Sequence, residues 1–177
     1  MILAVPRTMP WKNGGGVTHE LWREPAEPAD FNLRISMAEV AADGPFSRFP
    51  GVDRHLALVR GGGFRIVGPA GEHVVTEVGA PIAFPGEDPW DCTLLAGSLR
   101  DFNVMVRRAT GLLATVRRVG TGPLPAGARF VFALVDGVAV GPAGAEAPVP
   151  REHLAILEAP DTGLVAPAGG ALVVSVS

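Results

Sequence analysis

Turn-forming residues interrupt this chain so often that long helices are excluded. Of its 177 residues, 23 are Gly and 17 are Pro. Proline removes a backbone N–H donor, and glycine loses more conformational entropy than other residues when it enters a helix. These residues cluster, for example at 61–63 and 68–71, where tight turns need a positive or fixed φ. The chain therefore predicts short elements joined by turns, not a helix bundle or a coiled coil.

The segments between the turns have the pattern of β-strands. From Phe31 to Glu39, apolar side chains occupy the odd positions through Met37 and mostly polar ones the even positions, which is the period of a half-buried strand. Similar short apolar runs recur at 55–60, 64–67, 73–78, 81–84, 101–107, 113–119, 130–135, 154–158, 163–166 and 171–176. Many short strands at nearly regular spacing predict an all-β fold, either a sandwich or a barrel.

The sequence Thr-Gly-Pro-Leu-Pro-Ala-Gly at 121–127 predicts a linker between two sets of strands. We expect an N-terminal β module at 1–120 and a smaller one at 121–177, stacked as one compact body. A chain of this length buries enough surface to hold its fold without metal or disulfide bonds.

Charge and cysteine content limit the classes of partner. The formal net charge is −3 and the basic residues form no run, so nucleic acid is not an expected partner. The single cysteine, Cys92, cannot form an intramolecular disulfide, which favours a reducing cytoplasm. We identify no signal peptide and no apolar run of the roughly 18 residues that a membrane span needs.

The segment Pro-Trp-Lys-Asn-Gly-Gly-Gly-Val-Thr-His-Glu at 10–20 is the first candidate site. Its glycines predict an open loop whose backbone N–H groups face a ligand, while Lys12, Asn13 and Thr18 add a charge, an amide and a hydroxyl. Such a loop suits a carboxylate or a phosphate, although a solvated turn explains it equally well. A P-loop is excluded because the Gly-Lys-Ser/Thr order is missing.

The segment Arg-Asp-Phe-Asn-Val-Met-Val-Arg-Arg at 100–108 is the second candidate site. Strand alternation places Asp101, Asn103, Met105 and Arg107 on one face, opposite an apolar face. We expect Arg107 to bind a carboxylate by paired N–H bonds and Met105 to contact an apolar stem, although Arg107 can equally well be a solvated strand end. Arg54 precedes another strand and is a further candidate, with pairing to a surface carboxylate as the alternative.

Metal binding and nucleophilic catalysis have little support. The four histidines are far apart, with no spacing that places two imidazoles on one metal, and His55 with Glu77 is the pair to check if they converge in space. No Gly-x-Ser-x-Gly motif is present. We therefore expect no metal, no other cofactor and no catalytic residue.

Four segments resemble the HutD family, also called Ves, in order and spacing. They are the 10–20 segment, Leu-Arg-Ile-Ser-Met-Ala-Glu-Val-Ala-Ala-Asp-Gly-Pro-Phe-Ser-Arg-Phe-Pro-Gly-Val-Asp-Arg at 33–54, Phe-Pro-Gly at 84–86, and the 100–108 segment. The resemblance implies a bicupin, two small β-barrels from one chain, without the histidine-rich metal motif of catalytic cupins. It implies a protein that binds an acidic metabolite such as urocanate or N-formylglutamate, modulates histidine utilisation and has no established enzymatic activity.

The same resemblance implies a set of ligand-binding or pocket-supporting residues. They are Trp11, Lys12, Asn13, Thr18, Arg54, Phe102, Asn103, Met105 and Arg107. Two positions depart from the family pattern, because Leu33 replaces a common Trp and His19 a common Arg. A smaller side chain and a lost fixed charge alter the fit of a ligand.

Two other functions remain open from the residues alone. One is an enzyme that acts on a small organic acid, with a metal or with Glu20, Glu39 or Asp101 as general base. The other is a protein that binds another protein. In that case the Gly-rich segment is only a tight turn, and Asn103 is a buried amide whose hydrogen bonds are made within the core. A homodimer formed by sheet edges fits this function and small-molecule binding equally.

Overall fold

The structure, a computed structural model, describes residues 1–12, 14–25, 30–158 and 163–177. These residues form nineteen strands and one short 3₁₀ helix at Arg108–Thr110. Strands β1 to β19 are, in chain order, Ile2–Leu3, Arg7–Pro10, Gly16–Glu24, Leu33–Val40, Gly44–Pro45, Val52–Arg60, Phe64–Gly68, Gly71–Val75, Pro81–Pro85, Asp91–Leu94, Leu99–Arg107, Ala114–Val119, Gly122–Pro123, Ala128–Ala133, Val138–Gly141, Ala147–Val149, Leu154–Ile156, Gly163–Val165 and Ala171–Val176. The predicted all-β class is confirmed. Among the described residues, no helix is both long and apolar enough to cross a membrane.

The chain divides into two compact units, one made of residues 6–112 and the other of residues 1–5 with 113–177. Strand pairing explains this division. β1 pairs with β17, and β12 pairs with β19 over its whole length, so both strands lie in the second unit. The sequence interpretation placed the boundary after residue 120, whereas the structural division follows residue 112.

The 6–112 unit contains two sheets. A six-stranded sheet has the order β2-β3-β4-β11-β6-β9, and a four-stranded sheet has the order β5-β10-β7-β8. A hydrophobic core lies between them, with Leu56, Leu58 and Val40 from the larger sheet and Phe64 and Ile66 from the smaller one. The larger sheet therefore buries one end of its inner face in this core.

The central strand of the larger sheet, β11, brings polar side chains into the interior. It lies between β4 and β6 and pairs with both over most of its length. Successive side chains point to opposite faces, so Asp101, Asn103 and Met105 share one face while Phe102 lies on the other. The two polar residues of this face are buried: Asp101 is 4% and Asn103 8% exposed.

The second unit also contains two sheets, ordered β1-β17-β14-β19-β12 and β13-β18-β15-β16. Its core consists mainly of Val, Ala and Leu, including Val131, Val173 and Val140. The sequence 121–127, predicted to be a linker, contains the short strand β13, which pairs with β18. In the described part of the chain, the strand pairings of both units give open sheets, so two closed barrels are not seen.

Candidate functional site

A cavity of about 550 Å³ lies in the 6–112 unit, over the inner face of the six-stranded sheet. β3, β4, β6 and β11 supply its floor through side chains that alternation directs to this face. The segment 9–12 and residues from 45 to 49 supply its walls. The volume is within the range of about 300 to 1,000 Å³ that is usual for small-molecule sites.

The strand register arranges the floor in three rows across the sheet. In the first row, Met105 is the partner of Arg34 on one side and of Arg54 on the other. The middle row contains Asn103 and Ser36, and the third contains Asp101, Ala38 and Thr18. The floor thus has two cations at one end and a carboxyl group at the other.

Arg54 is a buried cation surrounded by aromatic rings. Its side-chain guanidinium carbon lies 5.3, 5.5 and 5.1 Å from the ring centroids of Phe46, Phe49 and Phe84, and the residue is 6% exposed. Its Nη1 donates to the carbonyl oxygen of Ser47 over 3.3 Å, while its buried Nε has no hydrogen-bond partner among the described residues. Burial lowers the pKa of Arg54 to about 10, so the guanidinium is still protonated at neutral pH.

Arg34 is the second cation that lines the cavity, and Glu20 orients it. Its Nε donates to Oε2 of the buried Glu20 at 2.6 Å, and Arg23 lies 3.7 Å from the same oxygen. A guanidinium has five N–H donors, so this bond fixes its position and uses only part of its capacity. Arg34 also lowers the pKa of Arg54 through charge repulsion, which shows that the two cations act on the same region.

Asp101 and Asn103 line the cavity, and each carries a buried hydrogen-bond acceptor. Asp101 Oδ1 and Asn103 Oδ1 are both buried and have no partner within the part of the chain that the structure describes. Burial raises the pKa of Asp101 to about 7, against the opposing effects of the Arg54 charge and a hydrogen bond from the Ala38 backbone. This carboxyl group therefore changes its charge near neutral pH.

The hairpin between β2 and β3 forms one wall of the cavity. The N–H of Trp11 donates to the carbonyl of Gly16, and the N–H of Gly14 donates to the carbonyl of Trp11. The indole N–H of Trp11 also donates to Thr18 Oγ1 at 2.8 Å. A Cβ on Gly16 would lie 2.3 Å from the carbonyl oxygen of Glu39 and 3.0 Å from the Trp11 ring, so only glycine allows this close approach.

The HutD family model matches residues 4–174 of the chain. The chain belongs to the HutD family. A Pseudomonas putida protein encoded in the region 3′ of hutC is 38% identical over 104 residues, which are 55% of this chain and 52% of that protein. Protein Ves from Citrobacter koseri is 37% identical over 106 residues, or 58% of this chain and 56% of that protein. The HutD-family chain therefore spans about half the length of these curated relatives.

Solved structures of other proteins have a similar fold over nearly the whole length of this chain. A conserved protein of unknown function from Pseudomonas aeruginosa PAO1 is 29% identical with a TM-score of 0.82, over 99% of this chain and 97% of its own. HutD from Pseudomonas fluorescens SBW25 is 24% identical with a TM-score of 0.82, over 97% and 94%. A cupin 2 conserved barrel domain protein from Leptotrichia buccalis is 14% identical with a TM-score of 0.59, over 100% and 98%. The fold of this HutD-family chain is therefore cupin-like.

The structure brings together most of the predicted site residues. Those that line the cavity are Trp11, Lys12, Thr18, Arg54, Asn103 and Met105. Asn13 lies outside the described residues. The glycine segment is a hairpin turn and the first residue of β3, not the predicted open loop, since the N–H of Gly14 is used within the turn.

Two predicted residues lie away from the cavity lining. Phe102 lies on the opposite face of β11, because it stands one position out of phase with Asp101 and Asn103. Arg107 lies at the end of β11, where its Nε donates to the carbonyl of Phe31 at 3.0 Å and its Nη2 to Asp30 at 3.2 Å. Arg34 lines the cavity, whereas Arg107 is not among the lining residues.

Sequence reasoning missed Arg34, Ser36 and the aromatic rings around Arg54. A signal for the first two exists, because they occupy the even, polar positions of the alternating strand at 31–39. The rings carry no such signal, since Phe84 on β9 is distant in sequence from Phe46 and Phe49. Among the described residues, no group of three or more His, Cys, Asp and Glu side chains is placed to hold a metal ion.

Proposed function

We propose that this HutD-family chain binds a small carboxylic acid in the cavity of the 6–112 unit, without catalysis. The observation that supports this most is the buried guanidinium of Arg54, whose Nε has no hydrogen-bond partner among the described residues. A buried charge is costly unless it is paired. Asp101 is the opposite charge that acts on Arg54, and a ligand carboxylate that accepts charge-assisted hydrogen bonds from Arg54 and Arg34 would add the acceptor that Nε lacks.

The other lining residues suit the rest of such a molecule. Met105, 1% exposed, lies between the two arginines and offers an apolar contact for a carbon chain or a ring. The hydroxyl groups of Ser36 and Thr18 and the amide of Asn103 offer further hydrogen bonds. Lys12, exposed at the rim, would attract an anion from solution.

The metabolite that we propose is urocanate, N-formylglutamate or a close analogue, and its binding would modulate histidine utilisation in the cytoplasm. Membership of the HutD family and the position of the Pseudomonas putida relative in the region 3′ of hutC support this assignment. We also propose that each unit corresponds to one cupin barrel, in line with the similarity to the Leptotrichia buccalis protein.

A thermal-shift screen tests the proposal. Purified protein would be heated with urocanate, N-formylglutamate, formate, histidine and unrelated acids. A ligand at 100 times its Kd adds about 2.7 kcal/mol to the free energy of unfolding. For a domain of this size, we expect Tm to rise by roughly 5 to 10 °C with one acid of the histidine pathway.

Variants of the two arginines then locate the binding site. Arg34→Met and Arg54→Met should each weaken binding about 10- to 100-fold in calorimetry, because each removes a charge-assisted hydrogen-bond donor. Arg65→Met is the matched control, since Arg65 is an exposed arginine paired with Glu72 on the four-stranded sheet. A screen without any shift, or equal affinity in all three variants, would contradict binding in this cavity.

One observation favours a second candidate function, that of an enzyme acting on a small organic acid. Asp101 faces the cavity and burial raises its pKa to about 7, the value that suits a general acid or base at neutral pH. Incubating the acid identified by the screen and following it by NMR tests this function. Turnover that is lost in Asp101→Asn would replace the binding proposal, and an unchanged spectrum would support binding alone.

A further inference from the structure

Two buried oxygen atoms on β11 need hydrogen-bond donors that the described part of the chain does not provide. They are Oδ1 of Asp101 and Oδ1 of Asn103, on residues that are 4% and 8% exposed and that both line the cavity. A buried acceptor without a donor costs about 1 to 3 kcal/mol, and more when it is charged. Side chains at positions i and i+2 of a strand lie side by side on one face, so the two acceptors are neighbours.

These acceptors and the two arginines, Arg34 and Arg54, lie in different rows of the cavity floor. Asp101 is four positions along β11 from Met105, whose row contains Arg34 and Arg54. Four residues of a strand span about 13 Å. The Arg54 charge nevertheless lowers the pKa of Asp101, so the two groups are close enough to act on one small molecule.

A purely acidic ligand does not match this end of the cavity. Where Asp101 is ionised, a carboxylate near Asp101 Oδ1 and Asn103 Oδ1 would place acceptors against acceptors, and the two negative charges would repel each other. An N–H group avoids both problems, because it donates a hydrogen bond to either oxygen and carries no negative charge that Asp101 would repel. The middle row fits the body of such a molecule, since the Ser36 hydroxyl beside Asn103 both donates and accepts.

We propose that the ligand is two-ended: a carboxylate bound by Arg34 and Arg54, and an N–H donor bound by Asp101 and Asn103. This inference rests on the proposed function and narrows the class of ligand to acids that carry an imidazole, amide or ammonium N–H in addition to the carboxylate. Simple carboxylic acids of the same size bind more weakly, because they leave both oxygens without donors.

Calorimetry on the intact protein with two matched pairs of acids tests the proposal. In the first pair, urocanate is compared with trans-3-(2-furyl)acrylate, in which the furan ring has no N–H. In the second pair, N-formylglutamate is compared with 2-formyloxyglutarate, in which an ester oxygen replaces the amide N–H. We expect the N–H member of at least one pair to bind about 10- to 100-fold more tightly than its partner, the value of a hydrogen bond to a charged group.

Variants of Asp101 test whether this residue causes the preference for acids with an N–H group. Asp101→Asn keeps the shape of the side chain and has a weaker acceptor, so the preference for the N–H acid over its partner, measured as the ratio of their Kd values, should fall. Asp101→Leu removes the acceptor, so this ratio should approach one. Asp91→Asn is the control, since Asp91 is an exposed carboxylate on β10. Cooperative thermal unfolding of each variant confirms that it folds, and Asp101→Asn alone carries the test if the leucine variant does not.

The possible results separate the two proposals. Equal affinity within both pairs would overturn the two-ended ligand and leave carboxylate binding intact. A preference for N–H acids that persists unchanged in Asp101→Asn and Asp101→Leu would overturn the role of Asp101. If no acid of either pair binds the wild-type protein, both the proposed function and this inference are refuted.

Discussion

Asp101 makes the stability of this protein depend on pH in a direction opposite to that of most carboxylates. Burial raises its pKa from 3.8 to about 7. Between these two values the folded state binds a proton that the unfolded state has released, so the free energy of unfolding falls as the pH rises. The stabilising proton is fully present below about pH 4 and is lost as the pH passes through about 7.

The size of the effect follows from the same two pKa values. At about 1.4 kcal/mol for each tenfold change in proton affinity, the full difference is about 4 kcal/mol. About 2.5 kcal/mol of it falls between pH 5 and pH 8, where the amide of Asp101→Asn does not titrate. Relative to this variant, the wild-type protein should therefore lose about 2.5 kcal/mol of stability across that interval.

Urea denaturation of the ligand-free wild-type, Asp101→Asn and Asp91→Asn proteins at pH 5, 6, 7 and 8 measures this difference. The Asp91→Asn control removes an exposed carboxylate and should follow the wild-type curve. A difference between wild type and Asp101→Asn that stays constant within about 0.5 kcal/mol from pH 5 to pH 8 would refute the reasoning. It would mean that Asp101 is solvated or firmly paired in the folded protein.

Three further predictions concern the hairpin and the core of the 6–112 unit. Gly16→Ala should destabilise the protein by about 1 to 3 kcal/mol in urea denaturation, because its Cβ meets the Glu39 carbonyl at 2.3 Å, whereas Gly163→Ala, with its nearest neighbour at 3.5 Å, should change little. Trp11→Phe keeps an aromatic ring but loses the 2.8 Å hydrogen bond to Thr18 and part of the indole packing, so it should cost at least about 1 kcal/mol; a double-mutant cycle with Thr18→Val should isolate the hydrogen-bond coupling. The Cys92 thiol is 4% exposed and burial raises its pKa to about 12, so it should react with Ellman's reagent only after denaturant is added; rapid reaction in buffer would contradict its burial.

Local pattern was sufficient to predict many strands of this protein, although not β3, β10 or β15. The alternation at 31–39 predicts β4, and its odd residues Leu33 and Ile35 are fully buried as expected. The frequent turn residues and the short apolar runs predicted an all-β fold because both signals act within a few residues. The same alternation on β11 separated Phe102 from Asn103, which is why Phe102 fits the apolar face and not the cavity.

Local pattern was misleading where glycines stand at the start of a strand. Residues 14–16 were interpreted as an open loop, but β3 begins at Gly16. The glycine is required there by the carbonyl of Glu39 on the neighbouring strand β4, a contact between residues 23 positions apart. A sequence does not reveal such a close approach before the register of the two strands is known.

The sequence by itself determined the all-β class, the family and the residue types that can bind an acid, because these follow from composition, two-residue periodicity and short motifs. Only the tertiary structure decided which arginines face the cavity. Register places Arg34 and Arg54 on either side of Met105, while Arg107 is held by Phe31 and Asp30 at the strand end. It also decided that Asp101 is buried, since residues from distant parts of the chain, such as Trp11 and Phe46, line the same cavity. Burial and charge proximity depend on these long-range pairings, and they convert an ordinary aspartate into a group that titrates near neutral pH.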